Sequence, residues 1–437
     1  MAHHDRPHVV IIGAGFAGLW AARTLANRPV DVTVIDKNNY HTFLALLYQV
    51  AAAELEAEDI AYPIRSIFWE LPNVNFILAH ATLIDRINRI IKTDIHEIHY
   101  DYLLIATGSI THDYGVTGVS DYAFFLKTLE EGIVLKNHII CCFEAASIEM
   151  DMTRSQHLLT FVIIGGGATG VEYAGALSEL IHGPLRKDFP SIDFKIVRII
   201  LLEASDRLVG HMPDEIRRYT IGRLREMGVD VRLSTPVIEV KPDRVITKAE
   251  EIISTRTIVW TAGVRGEPLA ASSGIAVERD DRVSVLPTLQ IAGHPEIYTL
   301  GDLASIRQNG RLLPQVAQVA IQSGVCAAKN ILHQISGREP VPFVYNDRGS
   351  MITIGRNAAG VAIGSQNYTG FPAWILWLII HLFNLIGFRN RMMVLINWAW
   401  DYLLYERAVR FVFPKDFSCG KDSTSCPLPN HSSEIKS

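Results

Sequence analysis

Val9-Val10-Ile11-Ile12-Gly13-Ala14-Gly15-Phe16-Ala17-Gly18 is the first apolar run of the chain and the turn that closes it. Four β-branched residues in a row read as a buried strand. The Gly-x-Gly-x-x-Gly pattern then leads into an Ala-rich helical stretch to about Ala26. Residues 32–35 form a second apolar strand, which ends in Asp36. Strand, glycine turn, helix, strand and acid make a βαβ unit. In such a unit the turn backbone and the helix N–H groups approach a pyrophosphate, and the acid accepts from ribose hydroxyls. Gly13, Ala14, Gly15, Phe16, Ala17, Gly18, Asp36 and Lys37 are the candidate binding residues of this first turn.

The same plan recurs. Residues 161–164 are an apolar strand, followed by Gly165-Gly166-Gly167-Ala168-Thr169-Gly170 and a helix. Residues 199–202 form the next strand and end in Glu203. The strand 102–105 with its Ala106-Thr107-Gly108 turn is echoed by 258–260 with Thr261-Ala262-Gly263. One Gly-x-Gly-x-x-Gly is a weak signal, because tight turns use the same residues. Two copies in matching contexts predict two dinucleotide sites, one for a tightly held cofactor and one for an exchanging substrate. Non-covalent FAD with a nicotinamide nucleotide is the natural pair. Gly301-Asp302, closing the strand 297–300 and read as opening a helix, resembles a second flavin motif and assigns FAD to the N-terminal copy. Thr107, Gly108, Gly301 and Asp302 join the FAD set, and Gly165, Gly167, Gly170, Glu203, Ala262 and Gly263 form the nicotinamide set. A carboxylate at Glu203 suits a ribose 2′-hydroxyl and repels a 2′-phosphate, so NADH is expected, with Arg207 turned to solvent.

Composition narrows the class. The chain has 437 residues, 49% hydrophobic and 20% charged, with a formal net charge of −5. A pI of about 6.3 argues against nucleic acid as a partner. Five Cys without a Cys-x-x-Cys pair, and no Cys/His cluster of metal spacing, argue against a disulfide framework and a metal site. The N-terminus has no apolar core of a signal peptide, so the protein is expected to stay on the side where it was made. Mean hydropathy is +0.18, and the excess is local. No Asp, Glu, Lys or Arg occurs from Asn357 to Phe388, and four of the seven Trp lie between Trp374 and Trp400.

Further stretches carry a resemblance. They are Asn38-Asn39-Tyr40-His41-Thr42-Phe43 through Leu46-Leu47-Tyr48-Gln49-Val50-Ala51, then Ala317-Gln318-Val319-Ala320-Ile321-Gln322, then Asp347-Arg348-Gly349-Ser350-Met351 with Thr353-Ile354-Gly355-Arg356. With the two glycine turns they resemble the type II, non-proton-pumping NADH:quinone oxidoreductases. The resemblance runs from Val9 to about Phe413, and departs where the family often has Gln-Pro and this chain has Leu44-Ala45. It implies an α/β fold of two Rossmann-like, glutathione-reductase-like domains with C-terminal amphipathic membrane-binding helices. It implies hydride transfer from NADH through FAD to a membrane quinone, menaquinone or ubiquinone, in a respiratory chain. Gln318 and Gln322, four apart on one helix face, are the implied quinone contacts, and Ala317 would lie beside the flavin. Glu172 carries the family's proposed part in proton transfer, near the nicotinamide.

The expected layout is a flavin domain over 1–118 and 276–342, an NADH domain over 119–275, a membrane-binding region over 343–413 and a disordered tail over 414–437. Residues 121–150 read as helical with a break or linker near 151–156, Pro314 opens a helix to about Gln334, and the region after Phe343 reads as strand to about Gly364. Phe371 to Phe388 is at the lower limit for a spanning helix, and its Trp-rich, partly basic context reads as interfacial. That predicts a peripheral protein on the cytoplasmic face of the cell membrane, in contact with lipid, and a homodimer. Truncation from Pro372 is expected to leave flavin binding intact. Two rivals remain: a sulfide:quinone oxidoreductase, which needs redox cysteines at the flavin, and a non-catalytic, NADH-sensing flavoprotein.

Overall fold

The computed structural model describes residues 6–404, 407 and 410–412. The chain divides into two compact units, one from residues 1–42, 61–110 and 264–348, the other from 43–60, 111–263 and 349–437.

The first unit is built on a six-stranded sheet in the order Gln290–Ile291, His294–Thr299, Tyr102–Ile105, His8–Ile12, Asp31–Asp36, Val74–Leu78. All neighbours are parallel except the first pair. Parallel strands are covered on both faces, so they need apolar residues at successive positions, as 9–12 and 103–105 provide. Val10, Ile12, Ile35, Leu103, Ile105 and Ile297 meet in one core. The helices Phe16–Leu25 and Ala317–Ile335 pack so closely that a Cβ on Gly324 would strike the Ala17 carbonyl. A small antiparallel sheet, Ala81–Asp85, Ile90–Thr93 and Glu97–His99, completes the unit.

The second unit repeats this plan. Its sheet runs Phe124–Phe125, Thr257–Trp260, Thr160–Ile164, Arg198–Leu202, Val229–Arg232, all parallel. The antiparallel strands Val237–Lys241, Arg244–Thr247 and Ile252–Ser254 stand where 81–99 stand in the first copy. The long helix Leu129–Ile148 starts at a capping box in which Thr128 and Glu131 satisfy each other's backbone N–H groups. Beyond the strands Ser350–Thr353, Ala359–Ile363 and Gln366–Gly370 lie the helices Phe371–Asn384 and Phe388–Leu404. Ala373, Trp377, Val394 and Trp398 face inward, with the two indoles 5.8 Å apart. Phe371, Ile375, Ile379 and Phe383 recur every fourth residue on the exposed side, as do Phe388, Met392, Ile396, Trp400 and Leu404. Among the described residues no helix is long and apolar enough to cross a membrane.

Several sequence expectations change. The helix expected from Pro314 begins at Ala317, because Val316 keeps an extended backbone. The expected helix over 121–150 is broken by the strand Phe124–Phe125, which pairs with Thr257–Trp260. The break expected near 151–156 is itself helical, Met152–Leu158, because the Asp151 carboxylate caps it. Gly301-Asp302 opens only a three-residue turn, Gly301–Leu303, so no helix dipole is built there. The tail 414–437 lies outside the described residues.

Candidate active site

The first glycine turn is held by its acid. The Asp36 carboxylate accepts from the Ala14 N–H at 2.6 Å and from the Asn38 N–H at 2.8 Å. Burial raises the Asp36 pKa, and these two N–H groups and then Lys37, which is exposed, oppose the rise. The Ala14 carbonyl meets His41 Nδ1 at 2.8 Å, so Nδ1 carries the proton and the Ala14 peptide is fixed on both sides. Burial lowers the His41 pKa, and its Nε2 is buried without a protein partner. Gly13 adopts φ +100, where only glycine avoids strain. A Cβ on Gly18 would strike the Gly13 carbonyl, whereas Gly15 and Gly108 have open space.

The neighbouring groups converge on that space. The Thr107 hydroxyl is buried and has no protein partner. Asp302 accepts from the Ser109 hydroxyl at 2.8 Å, its carbonyl accepts from Gln315 Nε2 at 2.9 Å, and the Gly301 N–H donates to Ser323 Oγ at 3.1 Å. Open space at Gly15 and at Gly108, N–H groups at the start of the Phe16–Leu25 helix and an orphaned hydroxyl fit a dinucleotide pyrophosphate with its polyol chain.

The second turn repeats the construction. Glu203 accepts from the Gly166 N–H at 2.6 Å and from the Ser205 N–H at 2.7 Å. The Gly166 carbonyl accepts from the Val209 N–H at 2.8 Å, a backbone donor in the role His41 plays in the first turn. A Cβ on Gly165 would strike Ala262, one on Gly170 would strike the Gly165 carbonyl, and Gly167 is open. Arg207 is paired with Asp206 at 2.5 Å and half-exposed, so it leaves Glu203 alone. Gly263, at φ +70, lies under the ring of Tyr114, which a Cβ there would displace.

Glu172 lies in the first turns of the helix Ala168–Leu180. Its carboxylate accepts the Thr353 N–H at 3.3 Å, and no cation lies within ion-pair distance of it among the described residues. Burial pushes its carboxyl up to about 8, against that one N–H. Glu172 shares a cavity with Tyr48, Gln49 and Glu54.

Gln318 and Gln322 do share a helix face. The Gln322 amide is spent on one backbone residue: Nε2 donates to the Asn346 carbonyl at 2.9 Å and Oε1 accepts its N–H at 3.0 Å. Gln318 Oε1 accepts the Arg348 N–H at 3.3 Å. Farther along the helix, Asn330 makes the same two-way bond to Val341. This amide stripe holds residues 341–348 as a strand partner would, which is why the expected strand begins only at Ser350. The helix starts at Ala317, beside exposed Val316.

Sequence reading missed Tyr48, Gln49, Glu54, Arg356, Trp398, Asp401 and Arg407 as site residues. The Trp398 indole N–H donates to Gln49 Oε1 and Gln49 Nε2 to the Tyr48 hydroxyl, both at 3.0 Å. The available signal was charge in an apolar stretch: Asp401 and Arg407 interrupt residues 392–413.

Two nucleotide-binding βαβ units, each with its acid on the glycine turn, define a dinucleotide-dependent oxidoreductase of the two-domain class. The pyridine nucleotide-disulphide oxidoreductase family matches residues 7–324. The chain is 34% identical over 417 residues to the type II NADH:quinone oxidoreductase Ndh of Mycobacterium tuberculosis, covering 92% of this chain and 89% of that one. It is 33% identical over 388 residues to the type II NADH:quinone oxidoreductase of Staphylococcus haemolyticus, covering 86% and 94%. The protein belongs to the type II NADH:quinone oxidoreductases. Its fold matches that of NDH2 from Plasmodium falciparum in complex with NADH, at a TM-score of 0.85 and 18% identity over 91% of this chain and 99% of that one. The sulfide:quinone oxidoreductase of Aquifex aeolicus is a more distant neighbour, at a TM-score of 0.72 and 20% identity over 92% and 96%.

Proposed function

We infer that the protein oxidises NADH and reduces a quinone by way of FAD, without proton pumping. The observation that carries this is the duplicated clamp, Asp36 on Ala14 and Glu203 on Gly166, at 2.6 Å in both copies. When bound, FAD supplies the two-electron chemistry between nicotinamide and quinone. The chain's residues hold and select. Gly13, Ala14, Gly15, Phe16, Ala17 and Gly18 take the FAD pyrophosphate, Asp36 its ribose, with Lys37 beside it, and Thr107, Gly108, Gly301 and Asp302 its polyol side, with Ala317 near the ring. Gly165, Gly167 and Gly170 take the NADH pyrophosphate, Glu203 the adenosine ribose, and Ala262 and Gly263 the nicotinamide side. Glu172 holds a proton near the reacting groups.

The quinone, menaquinone or ubiquinone, approaches Gln318 and Gln322. Because Gln322 is spent on Asn346, its part is to fix the wall of that site, and Gln318 is the closer contact. The exposed apolar stripes of 371–383 and 388–404 support a peripheral seat on the membrane, on its cytoplasmic face. The same stripes would also serve a homodimer.

Purified protein loaded with FAD tests the reading. NADH should bleach the flavin, and a short-chain quinone should restore its colour. Absence of bleaching would refute the reading. Bleaching that quinone does not reverse would favour a nucleotide sensor. Among the described residues the sulfide:quinone alternative lacks support: Cys141 and Cys142 are buried neighbours on the Leu129–Ile148 helix, and Cys326 sits mid-helix in Ala317–Ile335, while Cys419 and Cys426 lie outside the described residues.

A further inference from the structure

The second unit holds a cavity of about 40 Å³ whose wall includes Glu54, Glu172, Glu179 and Asp401. At roughly 10–15 Å³ per water, it has room for about three or four water molecules. Trp377 lines it too, and the Trp377 indole N–H is buried without a protein partner. A cavity water would accept that N–H.

The charges around the cavity do not balance. Arg407, buried, lies 3.1 Å from Glu179, 3.7 Å from Glu54 and 3.8 Å from Asp401. Arg356 pairs with Asp401 at 3.0 Å. Arg407 also donates to the carbonyls of Ala52 at 2.9 Å and Ala176 at 3.0 Å, which fixes the guanidinium in place. Three carboxylates therefore face two guanidiniums. A third buried carboxylate without its own cation is costly as an anion, so one of the three keeps a proton. Glu54 is the one whose nearest guanidinium is farthest, at 3.7 Å, against 3.0 Å for Asp401 and 3.1 Å for Glu179. Burial pushes its carboxyl up to about 8; Arg407 opposes this, Asp401 and Glu179 add to it, and Arg356 opposes it. Two tyrosines, Tyr48 and Tyr402, also line the wall. The Tyr48 hydroxyl accepts from Gln49 and is driven further from ionisation by burial, then by Glu172 and Glu54.

We propose that Glu54 is a proton relay to Glu172: it holds an exchangeable proton beside Arg407 and Arg356 and passes it through cavity water. This rests on the NADH:quinone reading above. The overall balance is NADH + H⁺ + quinone → NAD⁺ + quinol. NADH supplies two electrons and one proton as hydride, and solvent supplies the second proton. Glu172 is left ionised when its proton goes to the quinol. In the relay, the Glu54 O–H bond then breaks toward a cavity water, and an O–H bond of that water chain breaks toward Glu172, which becomes the acid again. The Glu54 carboxylate left behind faces Arg407 and Arg356 until solvent re-protonates it. Glu54 touches no substrate and acts through Glu172, so it is a positioning residue for the proton.

Glu54→Gln in the full-length, FAD-loaded protein tests this, since glutamine keeps the shape and removes the exchangeable proton. Infrared titration of protonated carboxyl groups should show absorption from two carboxyls, Glu54 and Glu172, disappearing as pH rises through about 8 in the wild type, and E54Q should lose the Glu54 share while keeping that of Glu172. In rapid mixing, bleaching by NADH should stay within about 2-fold, while recovery by quinone near neutral pH slows by about 10-fold or more, with a larger solvent deuterium effect. Glu54→Asp should recover part of the rate and its pH dependence. Two outcomes would overturn the relay: E54Q with an unchanged quinone step and pH profile, or both steps slowed equally with lower thermal stability and an unchanged profile. A wild type that NADH bleaches and quinone does not re-oxidise would refute the quinone-reductase reading itself, and the relay with it. A relay that fails alone is recognised by normal wild-type turnover.

Discussion

The Glu203 carboxylate accepts the Gly166 N–H at 2.6 Å, so the acid proposed to select the nucleotide also holds the glycine turn. A second oxygen on the Ser205 N–H fixes the carboxylate plane. Glu203→Gln keeps the shape and removes the charge. A charge-assisted hydrogen bond contributes about 1.5–3 kcal/mol, so kcat/KM for NADH should fall by about 10-fold to 100-fold. The loss for NADPH should be smaller, because the repulsion of a 2′-phosphate goes with the charge. The NADPH-to-NADH ratio of kcat/KM checks this; an unchanged ratio would remove Glu203 from selection.

That relationship also marks how far the sequence could be read. Gly-x-Gly-x-x-Gly, the following strand and its terminal acid are local, so both copies were legible from residues 9–36 and 161–203, and the sheets follow. The amide clamp from Gln322 to Asn346 was not, because glutamines at helical spacing look alike whether they face a ligand or a backbone 24 residues away. The Arg407 cluster was less legible still. It gathers Glu54, Glu179, Asp401 and Arg356 from four separate stretches, and no spacing rule links them.

Glu172 should leave a signature in stability against pH. Its carboxyl is raised from 4.5 to about 8 in the folded protein. Below 4.5 both folded and unfolded chains are protonated there. Between 4.5 and about 8 the unfolded chain sheds the proton and the folded chain keeps it, so stability falls as pH rises. Above about 8 the loss is complete. Glu172→Gln should therefore match the wild type near the acid end and become the more stable protein as pH rises through that window. Melting temperatures of both proteins across the range check the sign; a gap independent of pH would contradict the burial argument.

Arg407 should be a keystone of the second unit. Its guanidinium serves two carbonyls and lies against three carboxylates. Arg407→Met leaves those carboxylates with Arg356 alone, and breaking a buried ion pair from one side costs about 3–5 kcal/mol. Arg407→Lys keeps the charge and should lose less, since an ammonium cannot reach all of these acceptors. Truncation from Pro372, expected from sequence to spare flavin binding, removes Trp377, Trp398, Asp401 and Arg407 together. It should lower the denaturation midpoint at least as far as Arg407→Met. Denaturant titration of the three proteins ranks them.

Membrane attachment is therefore better tested on the surface than by deletion. Phe383, Phe388 and Leu403 are 72%, 79% and 74% exposed, the first on the helix Phe371–Asn384 and the other two on Phe388–Leu404. Their side chains support nothing inside the fold, so replacing all three with Ser should leave the melting temperature and bound flavin unchanged. If these helices lie in the interface, each side chain contributes about 1.5–3 kcal/mol of apolar burial there. The triple variant should then bind vesicles at least about 100-fold more weakly than the wild type. High salt alone should not release the wild type, because screening acts on charges and not on apolar contact. Co-sedimentation with lipid vesicles at low and high salt measures both effects. Retention of the triple variant on vesicles, or release of the wild type by salt, would place the attachment elsewhere. Loss of self-association without loss of vesicle binding would instead assign the stripes to a dimer.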